Sequence, residues 1–282
     1  MKVAISTESA ADLPKELLEK YDIRTLPFSV TLGDRTGFDG EITGADIIAY
    51  VNQNKVLPKT GAINEEQFTE HFSNLLKTHD AVVHFSLSSG LSSAYNNALS
   101  VAKNFKNVYV VDSKSLSTGI GLLALYGRKL ADKGLSAKEI YEKCLVRVPY
   151  VQVSSELKRV DYLYRGGRCS MLALLGANLL RIRPQIVVRD GKCVSGKKYR
   201  GKFEHIVEKY VRDTLEEFNN PDLSIAFVAY TSASPEIIEN TVKIMKERGF
   251  EKVYVTKAGA TVVSHCGEDC VGVYYINDGG GE

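Results

Sequence analysis

The run Ala81-Val82-Val83-His84-Phe85, continued by Ser86-Leu87-Ser88-Ser89-Gly90-Leu91-Ser92-Ser93, sets the architecture of this chain. The apolar run, bounded by a Ser/Gly stretch, reads as a buried strand, and residues 94–105 carry apolar side chains at helical spacing. A strand end therefore passes through a hydroxyl-rich loop into a helix N-terminus. Such a place offers unpaired backbone N–H groups, the positive end of a helix dipole and several hydroxyl donors, a combination suited to a phosphate or carboxylate. Ser and Gly also serve as caps and turns. One serine would meet that need, and five favour an anion or polar head-group site.

Outward from this loop, the first half alternates strands at 3–7, 23–32, 81–87 and 108–111 with helices at 14–21, 45–52, 65–77, 94–105 and 115–133. Caps mark several starts: Thr43 with Asp46, Asn64 with Gln67, Ser136 with Glu139. Alternating elements imply a parallel sheet with helices on both faces, whose ligands sit beyond the carboxyl ends of the strands. The style changes after Pro149. Strands at 184–189 and 192–199 flank Asp190-Gly191, a hairpin signal. A helix at 203–218, a strand at 224–230, a helix opened by Ser234-Pro235, and strands at 252–256 and 271–276 follow. The expected fold class is α/β with two domains. Residues 1–155 form a three-layer α/β domain carrying the hydroxyl-rich loop, and 156–282 an α+β domain with a mixed or antiparallel sheet.

The chain has 282 residues, 44% hydrophobic and 25% charged, with a net charge of +2. That balance gives no global attraction to nucleic acid, and no Lys/Arg run is dense enough to track a polyanion. No segment approaches the roughly 18 apolar residues of a membrane span. The chain opens on a strand without a signal-peptide core, so a cytoplasmic location is expected. Five cysteines (Cys144, Cys169, Cys193, Cys266, Cys270) read as free thiols. His265-Cys266 with Cys270 is the cluster most like a metal site, yet four ligands at zinc spacing are missing, so no metal is expected.

Gly191-Lys192-Cys193-Val194-Ser195-Gly196-Lys197-Lys198 nearly matches a phosphate-binding loop, but Lys198 replaces the magnesium-ligating hydroxyl and a hairpin replaces the helix. ATP binding is set aside. Gly-x-Ser-x-Gly is absent, and a Ser92–His265 nucleophile and base would lack an oxyanion elbow and an acidic orienter. Arg165-Gly166-Gly167-Arg168 reads equally as a solvated turn or a functional one.

Taken in order, these segments resemble the DegV family of bacterial fatty-acid-binding proteins. The opening Ser6-Thr7-Glu8-Ser9-Ala10-Ala11-Asp12-Leu13-Pro14, then Pro58-Lys59-Thr60, Ser88 to Tyr95 and Val111-Asp112-Ser113 are similar to family motifs. So are Gly166-Gly167-Arg168, Arg181-Ile182-Arg183-Pro184, Tyr199-Arg200-Gly201 and His265-x-Gly267. The resemblance implies two α/β domains enclosing a long-chain fatty acid in a tunnel, with its carboxylate held by Thr60 and Ser92 backed by His265. It further implies a carrier that is not an enzyme by itself. Its cofactors are none beyond the bound lipid, and it presents that lipid to a separate kinase for acyl-phosphate formation and phospholipid synthesis. Ser93, Arg168 and Arg200 are candidate head-group or partner contacts, and membrane contact is at most transient. A Ser/His hydrolase or acyltransferase, and a small-anion-binding regulator, are the alternatives. Departures from the family pattern are Glu8 for Asp, Gly61 for Ser, Ser93-Ala94 for Gly-Thr, and Glu268-Asp269 for Pro-Gly. Two acids beside His265 would repel an anion if they point inward.

Overall fold

The computed structural model describes residues 1–169 and 183–280. Four parallel strands form the first sheet in the order β2 (Ile23–Leu26), β1 (Val3–Glu8), β6 (Ala81–Ser86), β7 (Val108–Asp112). Consecutive residues of β6 serve opposite layers, as strand geometry requires. His84 packs edge-on against Phe68 and Phe72 of α3 (Glu65–Leu76). Phe85 instead meets Gly127 of α5 (Thr118–Asp132). Helices thus cover both faces, giving the three-layer α/β arrangement expected.

The second sheet has six strands: β10 (Lys192–Tyr199), β9 (Arg183–Arg189), β8 (Val151–Leu157), β13 (Cys270–Ile276), β11 (Ile225–Tyr230), β12 (Lys252–Lys257). Only the β11–β12 pairing is parallel, so the sheet is mixed. Helices α8 (Phe203–Glu217) and α9 (Pro235–Glu247) bury one face of it. Val153, Phe227 and Tyr274 on its strands join the buried cluster of the parallel layer, so the two sheets share apolar packing. The expected fold class holds. Arg181 and Ile182, part of one sequence motif, lie outside the described residues.

Local signals are realised where they were read. Thr43, Asn64 and Ser136 each close a capping box, and Ser234 caps α9 with Pro235 in its first turn. Asp190 (φ 50°) and Gly191 (φ 77°) make the β9–β10 turn, whose two left-handed residues match the twist of a tight hairpin. The strand expected at 23–32 is instead two. Pro27, with no N–H to donate, separates β2 from β3 (Ser29–Leu32), which leaves for an antiparallel sheet with β4 (Arg35–Phe38) and β5 (Lys59–Gly61).

A short helix, α10 (Ala260–Cys266), was not anticipated, because Thr261, Val262 and Val263 are β-branched and favour strands. Its start is held by acids from the opposite end of the chain. The Asp39 carboxylate accepts from the Ala260 and Thr261 N–H groups at 2.7 and 3.1 Å, and Asp12 accepts from Gly259 N–H at 2.8 Å. No helix among the described residues is long and apolar enough to cross a membrane.

Candidate ligand cavity

Four separate elements deliver polar side chains to one cavity of about 140 Å³. Thr60 comes from the middle of β5, where it pairs with Val30. Ser92 and Ser93 come from the strand-end loop, Arg168 from the glycine turn after α7 (Asp161–Arg165), and Thr261 and His265 from α10. The remaining wall is largely apolar, including Ala10, Phe28, Leu87, Leu91, Leu116 and Leu163.

Thr60 Oγ1 and His265 Nε2 lie 3.0 Å apart, a hydrogen bond across 205 residues of sequence. Burial, aided by the Arg168 charge, pushes His265 down to about 4, so its imidazole is neutral near pH 7. Among the described residues Nδ1 is buried without a partner. An orphaned buried N–H is rarer than a bare acceptor, which assigns the proton to Nε2. His265 then donates to Thr60 Oγ1, and the Thr60 hydroxyl proton is left for another acceptor. Thr261 Oγ1, one helical turn before His265, is also buried and has no partner among the described residues. Sequence reasoning missed it, since the i, i+4 relation signifies only once α10 is known to be helical.

Gly166 makes the close approach to this imidazole possible. A Cβ there would stand 2.7 Å from His265 Nδ1 and 2.8 Å from the Tyr162 carbonyl. Gly166→Ala is therefore expected to destabilise the fold by about 1–3 kcal/mol through overpacking. A fall in the urea midpoint with unchanged slope would register it, and an unaltered midpoint would contradict this packing.

The serine loop divides into two parts. Ser86 donates to Glu8 at 2.6 Å, and Leu87 N–H donates to the same carboxylate at 2.8 Å. Ser88 donates to the Gly191 carbonyl, and Ser89 Oγ receives Lys114 Nζ, both bonds holding the loop in place. Ser92 and Ser93 alone of the five line the cavity. The Ser92 hydroxyl accepts from Ala94 N–H at 3.2 Å beside the start of α4 (Ala94–Ala102), whose N-cap residue is Ser93. The count of five thus overstated the anion site, because three hydroxyls serve loop structure.

Glu268 and Asp269 do not line the cavity. Asp269 pairs with Lys158 at 2.6 Å and Glu268 with Arg159 at 3.7 Å. Arg168 donates to the Gly166 carbonyl at 2.7 Å while lining the cavity, whereas Arg200 is exposed and does not line it. Among the described residues no group of three or more His, Cys, Asp or Glu could hold a metal ion.

Parallel and mixed sheets that share apolar packing, with a neutral hydroxyl–imidazole pair in the wall of a largely apolar cavity, define a two-domain α/β protein. A family model described as "Uncharacterised protein, DegV family" matches residues 2–278, and the chain belongs to the DegV family. It is 28% identical to a DegV domain-containing protein of Clostridium acetobutylicum, with 98% of each chain covered. It is 29% identical to a fatty acid-binding protein of Thermotoga maritima, with 96% of each covered. Among solved structures, the stearic acid-binding protein of Eubacterium ventriosum superposes with a TM-score of 0.84 at 26% identity, over 98% of this chain and 97% of that one. A DegV family protein of Thermus thermophilus shares the fold with a TM-score of 0.90 at 24% identity, over 98% and 99%.

Proposed function

We propose that this protein binds a long-chain fatty acid, with the chain against the apolar wall and the carboxylate at Thr60 and Ser92. The observation that carries this reading is the uncharged Thr60–His265 pair set in an otherwise apolar cavity. A saturated chain of about 15 methylenes gains roughly 12 kcal/mol on burial, before ordering costs. The wall supplies the affinity and the hydroxyls supply orientation. His265, donating through Nε2, aims the Thr60 hydroxyl at a carboxylate oxygen, and Thr261 Oγ1 adds a further donor. Arg168 contributes positive potential, with Ser93 at the edge of the site.

Hydroxyl donors hold a carboxylate less tightly than a bidentate guanidinium, which leaves it reactive toward a phosphoryl donor. The fatty-acid-bound protein accordingly acts in the cytoplasm as a carrier for a kinase that forms acyl-phosphate. Arg200, exposed and away from the cavity, faces that partner. Arg200→Ala is expected to lower kinase-coupled turnover several-fold while palmitate binding stays unchanged; equal loss of both would move Arg200 into the ligand site. A Ser92 nucleophile is disfavoured, because His265 Nε2 is engaged by Thr60 and Nδ1 abuts Gly166.

Native mass spectrometry of the purified protein, followed by lipid extraction, tests the binding function. A co-purifying C14–C18 fatty acid at near-stoichiometric level is expected. Turnover of ester substrates with no bound lipid would overturn the reading.

A further inference from the structure

Four of the five cysteines gather beside the cavity. Cys169, Cys193 and Cys270 are buried and Cys266 is partly exposed, and all four belong to one packed cluster with Leu157 and Leu163. Cys193 and Cys266 line the cavity itself. The Cys266 and Cys270 side chains pack in this cluster within range of mutual interaction. Gly267 (φ 70°) and Asp269 (φ 51°) turn the chain between them. Cys270 is fixed at the start of β13 by its N–H bond to Thr231 Oγ1 at 3.1 Å, while Cys266 ends α10 directly after His265.

We propose that Cys266 and Cys270 form a peroxide-oxidisable dithiol, and that its closure to a disulfide weakens ligand binding in the cavity. Neither thiol takes part in the head-group geometry described above. Burial pushes the Cys193 thiol up, and the interaction of the Cys270 S–H with Cys266, together with burial, pushes Cys270 up. These two are poor sources of thiolate, which is the reacting form. Cys266 is the sulfur that a small oxidant reaches through the cavity, with the Arg168 guanidinium on the same wall.

The chemistry closes in two steps. The Cys266 thiolate attacks one oxygen of hydrogen peroxide; the S–O bond forms, the O–O bond breaks, and the leaving hydroxide takes a proton to become water. The Cys270 sulfur then attacks the Cys266 sulfenic acid; the S–S bond forms, the S–O bond breaks, and the hydroxyl leaves as water with the Cys270 proton. Two thiols are oxidised and one peroxide is reduced to two waters. Cys270 is anchored on the sheet, so the new bond draws the last turn of α10 toward β13. His265, the preceding residue, then shifts from Thr60, to which it is bonded at 3.0 Å. The effect on affinity rests on the fatty-acid reading; the dithiol itself does not.

The test treats the full-length protein with hydrogen peroxide, alkylates the remaining thiols under denaturing conditions and maps the peptides. No Lys or Arg follows Lys257, so trypsin leaves Cys266 and Cys270 in a single peptide with no other cysteine. That peptide is expected to lose two hydrogens, and cleavage after Glu268 should leave two pieces that separate only on reduction. The oxidised protein should bind palmitate about five-fold or more weakly, with recovery on adding dithiothreitol. Cys270→Ala should bind palmitate as the reduced wild type does and be insensitive to peroxide; should that variant misfold, the wild-type peptide map still decides. A Cys193–Cys266 linkage, or Cys266 oxidised to sulfinic acid with Cys270 fully alkylated, would overturn the pairing. Equal palmitate affinity of the oxidised and reduced forms would overturn the coupling. Failure of the reduced protein to bind palmitate would overturn the fatty-acid reading and the coupling with it, leaving the peptide map to decide the dithiol.

Discussion

Ala62→Trp is expected to weaken palmitate binding by more than about 100-fold, the largest single effect at this site, while leaving the fold intact. Ala62 is solvent-exposed yet lines the cavity, two residues beyond Thr60 on the same edge. An indole there lies across the space the ligand must enter, and its outer position spares the core. The magnitude follows from the division between wall and head. Each buried methylene is worth about 0.8 kcal/mol, so excluding four of them already costs about 3 kcal/mol, and a blocked entry excludes more. Head-group substitutions should do less. A hydrogen bond to a charged group contributes about 1.5–3 kcal/mol, so His265→Ala and Thr60→Val should each weaken binding by roughly 10- to 100-fold. The double variant should lose little beyond either single one, because His265 acts through Thr60. Displacement of a fluorescent fatty acid measures all four proteins. An Ala62→Trp protein that binds within a few-fold of wild type would place the ligand elsewhere.

The second large effect concerns pH. Burial, opposed by the Ser117 and Gly259 hydrogen bonds and assisted by Asp39, raises the Asp12 carboxyl to about 7. Burial likewise raises Glu156 to about 9, against the Arg183 charge. Both acids hold protons in the folded protein that the unfolded chain releases near pH 4. Their contribution is fully present below pH 4 and is lost as pH rises, through about 7 for Asp12 and about 9 for Glu156. Burial pushes His265 down to about 4 and His71 to about 3, so their contribution is present above pH 6.5 and is lost as pH falls. The opposed slopes cancel between about pH 4.5 and 6.5, and stability declines above that. In Asp12→Asn the Asp12 share vanishes. Between pH 5 and 8 the gap between wild type and variant should move by about 3 kcal/mol in the variant's favour, two pH units at about 1.4 kcal/mol each. Urea unfolding at the two pH values reads this directly. Parallel profiles would show that Asp12 is ionised throughout. The consequence reaches the cavity, because Asp12 holds Gly259, and with it the start of the helix that carries His265.

Features built from neighbouring residues were legible in the sequence. The Ala81–Phe85 strand, the three capping boxes and the Asp190-Gly191 hairpin each depend on residues within a few positions, and local chemistry determines them. Thr60, Ser92 and His265, singled out before any geometry, line the same cavity, although no local pattern in the sequence relates them. What escaped reading depends on distant partners. Helix α10 forms where β-branched residues favour a strand, because Asp12 and Asp39 cap it across 247 and 221 residues. Thr261 became visible only with that helix. The serine loop misled through its count, since Ser86 is held by Glu8 from 78 residues away. The pairing of Glu268 and Asp269 with Arg159 and Lys158 was equally out of reach, and it removes the repulsion their position suggested.

The central claim is that a fatty acid lies in this cavity with its carboxylate at Thr60 and Ser92. A crystal structure of the protein with bound palmitate tests it most directly. The account predicts an extended chain along Phe28, Leu91 and Leu163, with carboxylate oxygens within about 3.2 Å of Thr60 Oγ1 and Ser92 Oγ. Palmitate bound outside the cavity, or inside it with the carboxylate pointing away from both hydroxyls, would contradict it.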